Sequence, residues 1–370
     1  MTDRECMEQA LALGANGEVA TSPNPRVGCV VVRGDRVVGR GFHQEPGLLH
    51  AEALALRDAG DSARGATLYV SLEPCAHHGR TPPCADAIVD SGIVRVVAAL
   101  QDPNPIVDGR GFDRLRAAGV AVEIGLLGED SRRMNDAFVH FHRTGRPLVT
   151  LKAATSLDGM LSAADGCSRW ISGAASRRFA HRLRVRHDAV LVGAGTARRD
   201  NPRLTVRLPG VSAPRRRCVI APRLDLDPCG SLFEPVEGLA PPKVYVGRGV
   251  DRETAGRFDG RAEIVRVGPR GELLDVDEVL EDLASEGVHS ILVEGGAKTY
   301  ASFLDARRAD RLALFVAGKL LGARGGTPLL DRPAVAEPAA GWRLEDARQL
   351  SLGADLALVG SLRPPEGAGD

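Results

Sequence analysis

The chain has 370 residues, more than one ordinary core accommodates, so two domains are the natural expectation. Lys+Arg and Asp+Glu both number 48, a neutral balance that weighs against gripping nucleic acid through the overall field, and aromatics at 4% are too few for a stacking platform. Seven scattered cysteines do not suggest a disulfide framework, the N-terminus is charged where a secretory leader is apolar, and no run reaches the roughly 18 apolar residues of a membrane span, so a cytoplasmic protein is expected.

In chain order, residues 3–17 read as a helix, followed by strands at 27–33 and 36–42 joined through a tight turn at Gly34-Asp35. Residues 50–59 have helical character and stop at Gly60. Residues 66–71 read as a buried strand, and 83–91 as a helix entered through Pro82-Pro83 and stopped by Gly92. A strand at 94–100, a helix at 111–118 and a strand at 120–124 complete a three-layer α/β pattern. A polar helix near 129–143 then runs into Thr144-Gly145-Arg146-Pro147, which divides the chain into expected domains 1–145 and 146–370. The second half restarts with a strand at 148–154, a helix at 174–186 and a strand at 189–193. Further strands are expected at 217–221, 243–246, 262–267 and 290–294, helices at 277–286 and 298–307, and closing strands at 311–316 and 356–359. The Pro- and Arg-rich stretch 208–242 reads largely as surface loops.

Chemistry is concentrated in His50-Ala51-Glu52, Pro74-Cys75 and Pro83-Cys84. A catalytic zinc takes three protein ligands and leaves a fourth position for water, and one imidazole with two thiolates meets that need. The two expected helices carry ligands at their N-terminal ends, where backbone N–H groups favour thiolate. Glu52, two residues beyond His50, can reach water at the metal without ligating it and can move its proton to a leaving amine, as in zinc deaminases of nucleobases. Those deaminases usually separate their cysteines by two residues; here eight intervene. A structural zinc with His77 or His78 as fourth ligand, or no metal at all, are the alternatives.

Three stretches resemble the bacterial bifunctional riboflavin-biosynthesis deaminase/reductase family. They are Ser22-Pro23-Asn24-Pro25-Arg26-Val27-Gly28, His50-Ala51-Glu52, and Leu72-Glu73-Pro74-Cys75-Ala76-His77-His78-Gly79-Arg80-Thr81-Pro82-Pro83-Cys84. The eight-residue insertion is typical of that family, and Asp102-Pro103-Asn104-Pro105 and Gly109-Arg110-Gly111 continue the likeness. The resemblance implies that His50, Cys75 and Cys84 bind one zinc and that Glu52 shuttles the proton. It also implies that Asn24, His43, His77 and Arg80 line a pyrimidine and ribose-phosphate pocket. Ala53-Leu54 departs from the Val and His common after the H-A-E motif.

The second half has no complete G-x-G-x-x-G, so a Rossmann cofactor fold is not supported. Gly295-Gly296 between a strand and a helix could admit a phosphate to backbone N–H groups, or could be an ordinary turn. Residues 177–207 hold nine arginines against two acids. Arg177, Arg178 and Arg182 read as a solvated helix face, whereas Arg207, closing a strand-like Leu204-Thr205-Val206, is the better ligand contact. The same family's reductase half is similar to Lys152-Ala153-Ala154-Thr155-Ser156-Leu157-Asp158-Gly159, Ser168-Arg169-Trp170, Val192-Gly193-Ala194-Gly195-Thr196, Asp200-Asn201-Pro202, Leu204-Thr205-Val206-Arg207 and Val293-Glu294-Gly295-Gly296. Met160 and Cys167 depart from its usual residues.

The resemblance implies an α/β protein of two domains, a cytidine-deaminase-like three-layer α/β/α domain followed by a dihydrofolate-reductase-like α/β domain. NADPH would lie against Ala154, Trp170, Thr196, Asp200 and Gly296, and substrate against Ser168, Arg184, Leu204, Arg207 and Glu294. The expected partner is a small phosphorylated pyrimidine, neither nucleic acid nor membrane, and self-association is left open. The rival readings are a paralogue acting on a different amine and a non-catalytic zinc-stabilised binding module; an intact Glu52 speaks against the second. His140 and His142 are declined as a metal pair because i and i+2 face different ways on a helix, and Trp342 is read as core. Cys6, Cys29, Cys218 and Cys229 read as small buried or half-buried residues.

Overall fold

A strand that is apolar at every position needs cover on both faces. Cys29-Val30-Val31-Val32 is such a strand, and it organises the first of two compact units, Met1–Arg146 and Pro147–Asp370. The computed structural model describes residues 1–17, 21–77, 82–166, 170–208, 216–322, 324–332 and 335–365. In the first unit, β1 (Gly28–Arg33) pairs antiparallel with β2 (Arg36–Phe42) and β3 (Thr67–Val70), and β4 (Arg95–Ala98) and β5 (Ala121–Ile124) add in parallel, giving the order β2-β1-β3-β4-β5. Val30 and Val32 meet Cys6, Met7 and Ala10 of α1 (Asp3–Ala15) on one face. Cys29 and Val31 meet α2 (Ala51–Ala59), α3 (Cys84–Asp90) and α4 (Arg110–Ala117) on the other. Thr2 and Glu5 close a capping box that starts α1.

The seating of α2 determines where His50 and Glu52 stand. Gly39 and Gly41 of β2 let it approach to backbone contact: a Cβ on Gly41 would lie 2.2 Å from the Ala51 carbonyl oxygen, and one on Gly39 2.1 Å from that of Ala55. The expected single helix at 129–143 is instead two, α5 (Gly128–Met134) and α6 (Asp136–Thr144). The break is Asn135, whose buried side chain accepts the Arg26 N–H at 2.8 Å and donates to the Arg26 carbonyl at 3.0 Å, taking its own backbone out of the helix. Nor is the second piece wholly polar, because Phe138 and Val139 bury against Leu72.

The second unit is built on a nine-stranded sheet. Its spatial order is Glu263–Val267, Lys243–Gly247, Arg216–Ile220, Ala189–Gly193, Ser290–Val293, Leu148–Ser156, Arg311–Ala317, Asp355–Arg363 and Arg343–Leu352. The first seven run parallel and the last two pair antiparallel. Alternation again feeds two cores. Val149, Leu151, Ile291 and Val293 meet the helices Val276–Ser285 and Ala297–Asp305, while Val190, Val192 and Leu292 meet Ala174–Val185 and Ala194–Asp200. Trp342 is partly buried against the first core.

Two expectations need correction, and one element was not expected. The sheet ends at Arg343–Leu352, an exposed and charge-rich edge strand that does not read as β, so 356–359 is an inner strand. The short helix Ala194–Asp200 was not foreseen, because Gly195, Thr196 and Asp200 are poor helix formers. Cys229 is exposed, whereas Cys6, Cys29 and Cys218 are buried. Among the described residues no helix is long and apolar enough to cross a membrane.

Replacing Gly41 with alanine forces a methyl group into the Ala51 carbonyl. The first unit of Gly41→Ala should lose about 1–3 kcal/mol or more in urea unfolding; an unchanged midpoint would contradict the close seating of α2.

Candidate functional site

Three chain segments converge in the first unit. His50 is the N-cap of α2 in extended conformation, Cys84 opens α3, and Cys75 lies in the turn after β3. Their ligand atoms all lie within 4.8 Å of one another, with His50 Nδ1 3.2 Å from Cys84 Sγ and 3.5 Å from Cys75 Sγ. Tetrahedral zinc, with bonds of about 2.3 Å to sulfur and about 2.0–2.1 Å to nitrogen, sets such atoms roughly 3.5–3.8 Å apart, so the donor set fits that ion. The Cys84 thiol, His50 and the Cys84 backbone N–H, which approaches Cys75 Sγ at 3.4 Å, together pull the Cys75 thiol well below the usual thiol range. Among the described residues no other group of three or more His, Cys, Asp and Glu side chains is close enough to hold a metal.

Glu52 is 3% exposed, in the first turn of α2 with its carboxyl against Cys84; burial and the neighbouring Cys75 thiolate raise it to about 7. His43 lies edge-on to His50, with ring centroids 5.4 Å apart. Its Nδ1 faces the Leu49 carbonyl at 3.3 Å, which can only accept, so the proton is assigned there and Nε2 accepts from the Asn24 amide at 3.1 Å. Burial lowers its pKa and keeps the ring neutral beside the donor set. His77 is exposed, and Arg80 lies outside the described residues. Sequence reasoning missed the work of Glu73. Buried two residues before Cys75, it accepts N–H bonds from Asp102, Gly109 and Gly111 at 3.1, 3.0 and 2.9 Å and ties that loop beneath the cysteine turn.

In the second unit a cleft of about 1130 Å³ opens along the C-terminal ends of the parallel strands. Ala154, Trp170, Thr196, Asp200, Gly296, Arg184, Leu204, Arg207 and Glu294 all line it; Ser168 lies outside the described residues. Gly295 and Gly296 have φ of 121° and 95° ahead of the helix Ala297–Asp305, and a Cβ on them would lie 3.0 Å from Thr196 Oγ1 and 3.1 Å from Thr299 Oγ1. Backbone and hydroxyls thus form a cradle that side chains would fill, which suits a phosphate-bearing cofactor.

Arg184 and Glu294 form a two-point buried ion pair at 2.6 and 2.9 Å, and Lys152 Nζ stands 4.0 Å from Glu294. Burial alone would raise the Glu294 carboxyl, but Arg184 and Lys152 outweigh it and hold the group at about 2. Arg177 is not the solvated residue its helix position suggests. It lines the cleft with its guanidinium 4.3 Å from the centre of the exposed Trp170 ring, while Arg178 and Arg182 are exposed. Residues 204–206 form no strand, since Leu204 turns through φ 54° and is buried. Lys152 and His181 also line the cleft; Lys152 could have been found inside the K-A-A-T motif, whereas nothing around His181 signals it.

Residues 1–100 match the family described as cytidine and deoxycytidylate deaminase zinc-binding region, and residues 147–358 match the RibD C-terminal domain. The chain is 42% identical over 316 residues to the riboflavin biosynthesis protein RibD of Bacillus amyloliquefaciens, covering 85% of this chain and 84% of that one. Among solved structures it is similar to Acinetobacter baumannii RibD, with 34% identity, a TM-score of 0.87 and coverage of 98% and 99% of the two chains. It is also similar to the diaminohydroxyphosphoribosylaminopyrimidine deaminase/5-amino-6-(5-phosphoribosylamino)uracil reductase of Thermotoga maritima, with 33% identity, a TM-score of 0.84 and 98% of each chain covered.

The depressed Glu294 carboxyl ties stability to acid. Its contribution is complete above its ordinary value of 4.5 and is lost as pH falls from there toward about 2. Arg184→Met, which strands the buried carboxylate, should destabilise the second unit by about 3–5 kcal/mol at neutral pH and flatten this acid dependence. Unfolding curves from pH 6 to 3 that coincide for the two proteins would contradict the pair's role.

Proposed function

The chain belongs to the RibD family of bifunctional riboflavin-biosynthesis enzymes, with a deaminase and a reductase domain, and from that membership we propose how its two units divide the work. The first unit removes ammonia from diaminohydroxyphosphoribosylaminopyrimidine, the substrate of the Thermotoga relative's deaminase. The second reduces the ribosyl group of the resulting phosphoribosylaminouracil to a ribityl chain. The observation that carries the first assignment is the convergence of His50, Cys75 and Cys84 with a buried carboxylate that is not part of the donor set.

His50, Cys75 and Cys84 would hold zinc, which when bound supplies a Lewis acid that makes water nucleophilic near neutral pH. Glu52, buried beside Cys84 and outside the donor set, is the group that would move a proton between water and the departing amine. Asn24, its side-chain amide held in place by neutral His43, would orient the substrate ring by hydrogen bonding. In the cleft, Ala154, Trp170, Thr196, Asp200 and Gly296 would hold NADPH, which when bound supplies the hydride. Arg184, Leu204, Arg207 and Glu294 orient the sugar phosphate, with the guanidinium of Arg184 kept in place by Glu294. Arg177 braces Trp170 at the cleft.

Glu52→Gln should retain its zinc and lose deamination by about 10²–10⁴-fold while still reducing the deaminated intermediate. Cys84→Ser should lose most of its zinc, because a hydroxyl is a poor substitute for thiolate. Metal analysis together with ammonia release, with cytidine offered alongside as a competing amine, checks both. Substantial ammonia release by Glu52→Gln, or full zinc in Cys84→Ser, would overturn the assignment. The fragment Pro147–Asp370, a compact unit with its own cores, should oxidise NADPH with the deaminated intermediate and release no ammonia from the amino form. A folded fragment that binds no NADPH would refute the division of labour.

A further inference from the structure

Arg207 is exposed, and residues 202–207 belong to neither helix nor strand. A long, exposed side chain aims at nothing unless its backbone is fixed, since its free rotamers oppose any single pose. Here the fixing comes from the helix Ala174–Val185. Arg184 donates through Nη1 to the Thr205 carbonyl at 2.7 Å, and His181 Nδ1 accepts the Arg207 backbone N–H at 3.3 Å. The two side chains are three residues apart and therefore share one helix face. They grip the segment on either side of Val206, one as donor and one as acceptor. Arg184 cannot take over the acceptor role, because a guanidinium has no lone pair to offer.

We propose that His181 is a positioning residue of the reductase: by accepting the Arg207 backbone N–H it sets that guanidinium for the phosphate of the substrate. This rests on the reading of Arg207 as a substrate contact. The role requires an unprotonated Nδ1. The charged groups facing His181 are Arg184 on its own helix, Arg207 on the gripped segment, Lys152 on the central strand and Glu294 beyond it. Burial, Arg184 and Arg207 hold the ring at about 4, so it stays an acceptor through the neutral range with its proton on Nε2.

The test compares His181→Ala with His181→Asn, whose amide oxygen can accept near where Nδ1 does. Steady-state NADPH oxidation by the full chain is measured with 5-amino-6-(5-phosphoribosylamino)uracil and with its dephosphorylated form. His181→Ala should raise KM for the phosphorylated substrate about tenfold, roughly the effect of one misplaced hydrogen bond to a charge. It should change kcat less than twofold, leave KM for the dephosphorylated form unchanged, and add nothing further in an Arg207→Ala background. His181→Asn should restore most of the loss. An unchanged KM in His181→Ala, equal losses on both substrates, or an Asn variant as impaired as Ala despite a wild-type unfolding curve would each overturn the proposal. A wild-type protein that handles both substrates alike would instead remove the phosphate reading of Arg207, and with it the premise.

Discussion

The metal-site geometry hangs on one contact, the backbone of α2 lying directly on β2. Ala51, Ala55 and Ala59 form the inner side of the helix, and glycines occupy the strand positions they meet. Small residues facing small residues remove the side-chain layer that ordinarily spaces a helix from a sheet, so the start of α2 is fixed by hard atomic contact. His50 caps that helix and Glu52 sits in its first turn, so ligand and carboxylate are aimed by the same contact. Cys75 and Cys84 come from the other direction, and Glu73 anchors the loop under them through three backbone N–H groups. A donor set assembled from three segments gains its rigidity from such neighbours, because no ligand can adjust without moving an element.

The two units set up opposite electrostatic environments. Around His50 the side chains are neutral or anionic: His43 is kept uncharged by burial, and Glu52 is buried against a thiol. The cleft of the second unit gathers Lys152, Arg177, Arg184 and Arg207, with Glu294 as an inner counterion. Without that carboxylate, Arg184 would be a buried cation lacking its partner, and the cost would fall on the fold. With it, the same guanidinium has a fixed direction and a spare N–H for the Thr205 carbonyl. An arrangement of this kind suits a site that receives an anion, whereas the first suits one that gathers a cation among thiolates.

Much of this was legible from the sequence where local pattern and tertiary demand agree. The strands Gly28–Arg33, Ala189–Gly193 and Ser290–Val293 are apolar apart from the terminal Arg33 and Ser290 and are bounded by turn residues, so their type and place follow from composition. The donor triad was readable because each ligand sits beside a proline or a helix start. What escaped was set by partners distant in the chain. Asn135 breaks a helix because Arg26 engages its side chain from 109 residues away. The strand Arg343–Leu352 exposes most of its side chains and so lacks an apolar period. Arg177 looks like any basic surface residue until Trp170 lies beneath it. His181 has no motif at all, since its role is defined by a backbone N–H that only the folded chain brings to it.

Asp355 opens the strand Asp355–Arg363, and its carboxylate accepts the Gly173 N–H and the Ser176 hydroxyl, both at 2.6 Å. That anchor holds the beginning of the helix carrying His181 and Arg184, yet it lies more than 170 residues downstream of it. On a ribosome emitting the chain from its N-terminus, the first unit has all its strands long before this anchor emerges, whereas the cleft waits for Asp355. Nascent protein therefore passes through a period as a finished N-terminal domain trailing an incomplete sheet, with the apolar central strands of that sheet short of partners. Truncation before Asp355, outside every cleft-lining residue, would remove that anchor together with the strand that joins Arg311–Ala317 to Arg343–Leu352, and would loosen the cleft without touching its walls.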